Sequence, residues 1–419
     1  MNIWIFNHYA TDMYFDGAGR HQSFAKYLKL SGHDVKIFCA STVHNSDINV
    51  DTKGELFIEH TGKDDVPYVF VKTSTYQGNG VQRIKNMVEY YIRLFNVVKA
   101  YQKKETPDII LASSVHPLTL VAGIKISRKM GIPCVCEVRD LWPESIVEFT
   151  KLTSQNIVIK LLYKLEKWTY KNANSVVFTM EGGHQYIIDK GWEEEIDLDK
   201  LYYINNGIDI SEFDKCIKNS KYKFDINPNK KNIIYAGSLR PANNVMNLVY
   251  AAEFLMKKQI DNVQFFIFGD GPDESPMKKY ISENNLTNIS LMGRIEKENI
   301  PKVLTTQNSF NCMNYKPAEI FRYGGSQNKL FEYLASGRPI LANIKMGYDI
   351  IEKNHAGIIA ETNDINGFVA AIEKISELNK TEYDQMCKNA RKTAYEFDFK
   401  TLTEKLSYVI EKTIKEYKE

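Results

Sequence analysis

The sequence has no CxxC pair, no complete GxGxxG and no long apolar run. Each absence removes a class of function. The six cysteines (Cys39, Cys134, Cys136, Cys216, Cys312 and Cys387) have no ligand spacing to one another or to histidine, which argues against a zinc site. They read as reduced thiols acting as small hydrophobes in a cytoplasmic protein. Cys134 and Cys136 share one face if 132–138 is a strand. Apolar runs of a few residues fall far short of the ~20 that span a bilayer, so any membrane contact is expected to be peripheral. The N-terminus, MNIWIFNH, has no basic stretch ahead of an apolar one, so no signal peptide is expected. A net charge of +2 does not suggest a dedicated nucleic-acid binder.

What is present is the composition of a globular protein, 43% apolar and 25% charged over 419 residues. That length suggests two or three domains of about 100–200 residues. Strands are expected at 2–6, 34–39, 68–72, 108–112, 132–138 and 175–179, with helical patterns between them. This alternation implies a doubly wound parallel sheet, hence an α/β fold. The rhythm restarts with strands at 201–204, 232–236, 263–268, 289–292, 309–313, 339–342 and 357–360. So many strands suit two domains better than one sheet. The boundary is expected near 185–200, giving domains 1–190 and 191–398. A last helix, 399–419, carries Leu402, Leu406, Val409, Ile410 and Ile414 at helical spacing.

Candidate chemistry sits at strand ends, where open α/β sheets bind ligands. Gly17 and Gly19, between the first strand and first helix, form a loop that either approaches a ligand closely or merely turns. His116, in Ser113-Ser114-Val115-His116-Pro117-Leu118, either contacts a sugar or caps a helix. In Glu137-Val138-Arg139-Asp140-Leu141-Trp142-Pro143-Glu144, Asp140 either orients an acceptor hydroxyl or pairs with Arg139 to hold the loop.

The second half has the loop Gly237-Ser238-Leu239-Arg240-Pro241-Ala242-Asn243, with a helix from about 245. Its amides and Arg240 suit a diphosphate. Gly269-Asp270-Gly271-Pro272 is a second glycine corner. The fullest pattern is Gly324-Gly325-Ser326-Gln327-Asn328-Lys329-Leu330-Phe331-Glu332, a glycine loop feeding a helix expected over 326–335. The helix start offers amides for phosphate, and Glu332, one and a half turns in, can accept from ribose hydroxyls.

Together these motifs, with Asn206-Gly207-Ile208-Asp209 and Met292-Gly293-Arg294, resemble the retaining GT-B glycosyltransferases of family 4 over nearly the whole chain. EVRDLWPES and NKLFEYLASGRP look most like the bacterial subgroup that builds surface polysaccharide, capsule and O-antigen. The resemblance implies two Rossmann-like domains facing across a cleft, acceptor on the first and nucleotide sugar on the second. The C-terminal helix would cross back to the first. His116, Asp140 and Arg240 would be catalytic. Gly17, Gly19, Gly237, Ser238, Asn243, Gly269, Gly271, Gly325, Ser326, Asn328, Lys329 and Glu332 would bind donor. Arg139, Asp140 and Glu144 would bind acceptor. Glu332 matches the second glutamate of the family's EX7E motif and His116 its donor-sugar histidine.

Two departures are visible. Gly324 stands in place of the first glutamate, and Ser238 and Asn243 in place of the family's diphosphate-binding Arg and Lys, leaving Arg240 and Lys329 to supply charge. The expected activity is transfer from a nucleotide-diphosphate sugar, UDP-sugar favoured, to a polyprenyl-diphosphate-linked or glycan acceptor. No metal or other cofactor is expected, because the only DxD, Asp197-Leu198-Asp199, lies in the acidic interdomain stretch. The 82–104 segment carries Arg83, Lys85, Arg93, Lys99, Lys103 and Lys104 with an apolar stripe of Ile84, Val88, Tyr91, Phe95 and Val98. It reads either as a core-facing helix or as an interfacial one on the inner leaflet. The departures also fit a non-catalytic nucleotide-sugar-binding partner, and the fold fits a sugar-nucleotide 2-epimerase.

Overall fold

Strands rich in Ile, Val and Phe are buried on both faces in this protein because helices cover both sides of mostly parallel sheets. The computed structural model describes all 419 residues except Asn79 and Val115, the latter inside the His116 motif. The chain divides into two units, Met1–Asn205 with Phe399–Glu419, and Asn206–Asp398.

In the first unit the strands are β1 (Asn2–Phe6), β2 (Asp34–Ala40), β3 (Phe57–Thr61), β4 (Pro67–Val71), β5 (Ile109–Ser113), β6 (Cys134–Val138), β7 (Ser175–Phe178) and β8 (Leu201–Tyr203). Their order is β3-β4-β2-β1-β5-β6-β7-β8, and only β3 runs antiparallel to its neighbour. Ile5 lies opposite Ile37 on one side and Leu111 on the other. The order reverses between β1 and β5, so the loops after these strands open onto the crevice where α/β sheets bind ligands.

The second unit has β9 (Lys231–Ala236), β10 (Val263–Phe268), β11 (Ile289–Gly293), β12 (Ser309–Met313), β13 (Ile340–Ala342) and β14 (Gly357–Ile359) in the order β11-β10-β9-β12-β13-β14, all parallel. Here the reversal falls between β9 and β12. The C-terminal helix Phe399–Lys418 buries Phe399, Leu402, Leu406, Val409 and Ile410 in the first unit's core with Phe24 and Leu28.

Five expectations change. The strand expected at 201–204 belongs to the first sheet, because Leu201–Tyr203 pairs with Val176–Phe178. The first unit therefore runs to Asn205, past the boundary expected at 190. Strand β3 gave no apolar signal because no residue of FIEHT is buried. A short helix, Thr11–Asp16, intervenes between β1 and the helix Arg20–Leu30. The helix expected from 326 starts at Asn328, because Gln327 before it is still extended.

Candidate active site

In the second unit, β9 delivers the chain into Gly237 and Ser238 while the helix Asn328–Ala335 approaches from the side. Lys329 lies where a Gly237 side chain would be, for a Cβ there would stand 2.5 Å from its Nζ. That ammonium donates to the Tyr235 hydroxyl at 2.9 Å and faces the Tyr235 ring at 4.4 Å. Tyr235 in turn donates to the Ser238 carbonyl at 2.9 Å, and Asn243 Nδ2 to the same carbonyl at 2.8 Å. Burial pushes the Lys329 ammonium down to about 8, with Cys312 and Glu332 acting the other way. Glu332, one turn along the helix, has its carboxyl pushed up by burial, opposed by Lys297 and Lys329. Among the described residues its carboxylate accepts no hydrogen bond.

The glycine corners hold this loop in shape. Gly237 donates to Phe268, and Leu239 to Asp270 at 2.7 Å, which continues the β9–β10 pairing past the strand ends. A Cβ on Gly269 would lie 1.8 Å from the Gly237 carbonyl, and one on Gly271 2.3 Å from that of Leu239. Both glycines are required for backbone packing. Gly325 is confined by Gln327 and Met346, Ser326 is partly exposed, and Asn328 accepts from Asn206. Arg240 is exposed and makes no ion pair among the described residues.

In the first unit the Glu137 carboxylate is fully buried at the end of β6. It accepts from Arg20 Nε at 2.7 Å, His21 Nε2 at 2.9 Å and Ser113 Oγ at 2.7 Å. Burial alone pushes this acid up, but Arg20 and His21 hold it well below the usual carboxylate range. Arg20 also donates to the carbonyls of Ile204 and Asn205, the last residues of the unit's first segment. The ion pair of the EVRD segment is thus Glu137 with Arg20. Arg139 and Asp140 form no ion pair with each other among the described residues.

Beside this node, His116 and Asp140 line one hollow of about 300 Å³, counting the part open to solvent, with Ser114, Trp142, Glu166 and Tyr170. Burial, then Arg83, pushes the His116 imidazole down to about 3, so it is neutral. The Asp140 carboxyl is raised by desolvation, against Arg139 and Arg83.

Glu166 lies in no sequence motif. It is buried, accepts from Tyr170 and Tyr186 at 2.7 and 2.8 Å, and burial pushes it up to about 8. The signal was available, since Ile159, Glu166 and Tyr170 fall on one face of Ile157–Asn172. Glu144 is taken up in contacts from Lys190 and Tyr163, both at 2.5 Å. Gly17 ends a short helix at φ 58°, and Gly19 precedes the next at φ 118°, so both carry a local backbone duty.

The helix Val81–Tyr101 shows two apolar faces. Met87, Tyr90, Leu94, Val97, Val98 and Tyr101 are buried, whereas Val81, Ile84, Val88 and Ile92 are exposed. Of the expected stripe, only Val98 belongs to the core. Among the described residues, no helix is long and apolar enough to cross a membrane, and no three His, Cys, Asp or Glu group as a metal-ligand set.

The sequence matches the family model "Glycosyltransferase Family 4" over residues 15–212 and "Glycosyl transferases group 1" over residues 217–393. It is 25% identical over 323 residues to the UDP-Gal:alpha-D-GlcNAc-diphosphoundecaprenol alpha-1,3-galactosyltransferase of Escherichia coli, covering 75% of this chain and 76% of that protein. In structure it resembles a glycosyltransferase from Rickettsia africae ESF-5, with a TM-score of 0.66 at 16% identity over 99% of this chain and 98% of that one. Anabaena Alr3699/HepE in complex with UDP also has a TM-score of 0.66, at 13% identity over 98% of this chain and 99% of that one. With one family model on each half, the chain belongs to the family 4 glycosyltransferases of GT-B fold.

Proposed function

We propose that this protein is a retaining hexosyltransferase that moves sugar from a UDP-sugar to a lipid-linked acceptor during bacterial surface-polysaccharide synthesis. The observation that carries the donor side is the Lys329 ammonium at the Gly237 loop, one helical turn from Glu332. Lys329 supplies the charge that Ser238 and Asn243 do not. The leaving group is a nucleoside diphosphate, so negative charge grows on its phosphate oxygens. Lys329, Arg240 and the amides at the start of Asn328–Ala335 oppose that charge, and such preorganised electrostatics is often the largest catalytic term. Glu332 accepts from the ribose. The family resemblance supports a retaining course, in which the acceptor hydroxyl attacks on the leaving group's face, the departing phosphate takes its proton, and no protein nucleophile is needed.

On the first unit, His116 contacts the donor sugar, while Asp140, Arg139 and the hollow beside them receive the acceptor. The Escherichia coli relative's name, which gives UDP-Gal and a diphosphoundecaprenol-linked acceptor, supports both substrate classes. The exposed apolar face of Val81–Tyr101, with Lys85, Arg93 and Lys99 on the same helix, supports peripheral docking on the cytoplasmic side of an anionic membrane. Catalysis needs no metal, so EDTA leaves turnover unchanged.

The test is binding of UDP-, GDP-, ADP-, TDP- and CMP-sugars by thermal shift and calorimetry, then turnover with lipid-linked acceptors. Selective binding of a UDP-sugar with transfer supports the reading. Binding without turnover on any acceptor would favour a non-catalytic partner, the alternative that Gly324 in place of an acid raises. Free epimer formed without acceptor would identify an epimerase.

A further inference from the structure

Three elements of the first unit enclose the hollow beside Asp140: the start of the helix Pro117–Met130, the end of β6 and the helix Ile157–Asn172. Its volume of about 300 Å³ includes the part open to solvent, which leaves a narrow enclosed end. That end suits one substituent of a sugar better than a whole ring. Much of its wall is carbon: Leu120 and Val138 are buried there, beside Pro117 and Trp142.

Three hydroxyl side chains line the hollow, and they are not equivalent. Thr169 Oγ1 donates to the Leu165 carbonyl at 2.8 Å and Tyr170 to Glu166 at 2.7 Å, so both of these protons are used. Ser114 Oγ instead accepts, from the Arg139 amide at 3.0 Å, and its own proton has no acceptor among the described residues. Ser114 is 6% exposed, so a ligand is the partner that would use this proton. The same bond sets Ser114 beside Asp140, the residue after Arg139. Asp140 is exposed, and among the described residues its carboxylate accepts no hydrogen bond.

Charge narrows the choice of substituent. Asp140 and Glu166 both line the hollow, and no lysine or arginine does among the described residues. Glu166 already accepts from Tyr170 and Tyr186. A carboxylate or phosphate would meet two acids and no cation, which disfavours any anionic group. The substituent must then be neutral, with an acceptor for Ser114, a donor for Asp140 and an apolar tip for the carbon wall. A hydroxymethyl group has no apolar tip, and a methyl group has no polar atom. An acetamido group supplies all three, as its carbonyl, its N–H and its methyl.

We infer that the hollow is an acetamido recess: the Ser114 hydroxyl donates to the carbonyl of an N-acetylated amino sugar, Asp140 accepts from its N–H, and Leu120 packs against its methyl. Identifying that sugar as the acceptor rests on the transferase reading above; the chemistry of the recess does not. The consequence is a selectivity rule, in which an acceptor with a hydroxyl in place of the acetamido group is used poorly and a uronic acid is rejected.

The test is binding of two short-chain prenyl diphosphates, one carrying N-acetylglucosamine and one glucose, to the whole protein by calorimetry and saturation-transfer NMR. The wild type should bind the acetylated ligand roughly tenfold or more tightly, the weight of one buried methyl and one hydrogen bond. The acetyl methyl should be the most strongly saturated proton of the sugar. Leu120→Phe, which fills the recess, should erase the preference by weakening the acetylated ligand alone, and Ser114→Ala should remove most of it. Equal affinity of the wild type for the two ligands, or a methyl saturated no more than the ring protons, overturns the proposal without any variant. Failure of both to bind overturns it as well. If the acetylated ligand binds as expected but no UDP-sugar supports transfer to it, the transferase reading fails and the recess stands.

Discussion

The Lys329 ammonium occupies the space that a side chain at position 237 would need, 2.9 Å from the Tyr235 hydroxyl. A residue 92 positions away thus adds a positive charge beside a loop whose own cation, Arg240, is exposed (329 minus 237). The contact also explains why position 237 is glycine. Any Cβ would displace the flexible end of Lys329.

With Lys329 in the proposed donor site, nucleotide binding should be pH-dependent. With an ammonium near 8 in the free protein, Lys329 is charged below that pH and increasingly neutral above it. A diphosphate favours the charged form, so binding above pH 8 takes up a proton, and UDP affinity should fall as pH rises through 8–9. Calorimetry in two buffers of different ionisation heat will read the proton uptake. Lys329→Met should weaken UDP by about 1.5–3 kcal/mol and abolish the uptake. Gly237→Ala should reproduce part of that loss by displacing the lysine.

Glu332 is proposed to meet a different part of the ligand. Glu332→Ala should weaken UDP by about 1.5–3 kcal/mol if its carboxylate takes ribose hydroxyls. The loss should disappear when 2′,3′-dideoxy-UDP replaces UDP, because the hydroxyls are then missing from both arms. An equal loss with both nucleotides would remove Glu332 from the ribose site.

Most strands were readable because apolar runs end at glycine, asparagine or proline, and the strand-end loops were readable because glycines cluster there. Pairings across distance were not. Glu137 and Arg20 are 117 residues apart, and nothing local distinguishes Glu137 from the neighbouring Asp140. The pattern at 201–204 marks a strand but not its sheet, because local pattern does not encode the partner, and Leu201–Tyr203 pairs in the first sheet. The sequence marks Lys329 as a source of charge on its helix, yet its contact with Gly237 depends on how β9 and that helix pack.

Arg20 is the partner Glu137 cannot lose. Arg20→Met would leave a buried carboxylate with only His21 and Ser113, and breaking such a pair costs about 3–5 kcal/mol. Urea unfolding should show the first unit's transition moved to lower denaturant. Adding Glu137→Gln should recover part of the loss, because the uncompensated charge is gone. If Arg20→Met unfolds like the wild type, the pair is not holding the unit.

The outer face of Val81–Tyr101 should govern membrane association. Replacing Ile84, Val88 and Ile92 together by serine leaves the buried face untouched, so melting temperature should hold. Co-sedimentation with anionic vesicles at low salt should drop, and the wild type should itself be released at high salt, since each basic residue near the surface contributes about 1 kcal/mol. Failure of the wild type to co-sediment would sink the docking idea.

Glu166 gives a stability signature that the other acids do not. Its folded-state carboxyl stands near 8, above the 4.5 of an ordinary glutamate. Between those values the native protein holds a proton that the unfolded chain has lost. Stability from this group is therefore full below about pH 4.5 and is lost as pH rises toward 8, with a slope of at most about 1.4 kcal/mol per pH unit. Lys190 opposes the shift and Glu144 adds to it, both weaker than burial. Glu166→Gln keeps a neutral group for Tyr170 and Tyr186 and removes the titration. Relative to wild type, the variant should gain in melting temperature steadily from pH 5 to pH 8, whatever its absolute stability. Parallel curves across that range would mean that Glu166 is ionised throughout, and that the floor of the hollow beside His116 and Asp140 carries a negative charge.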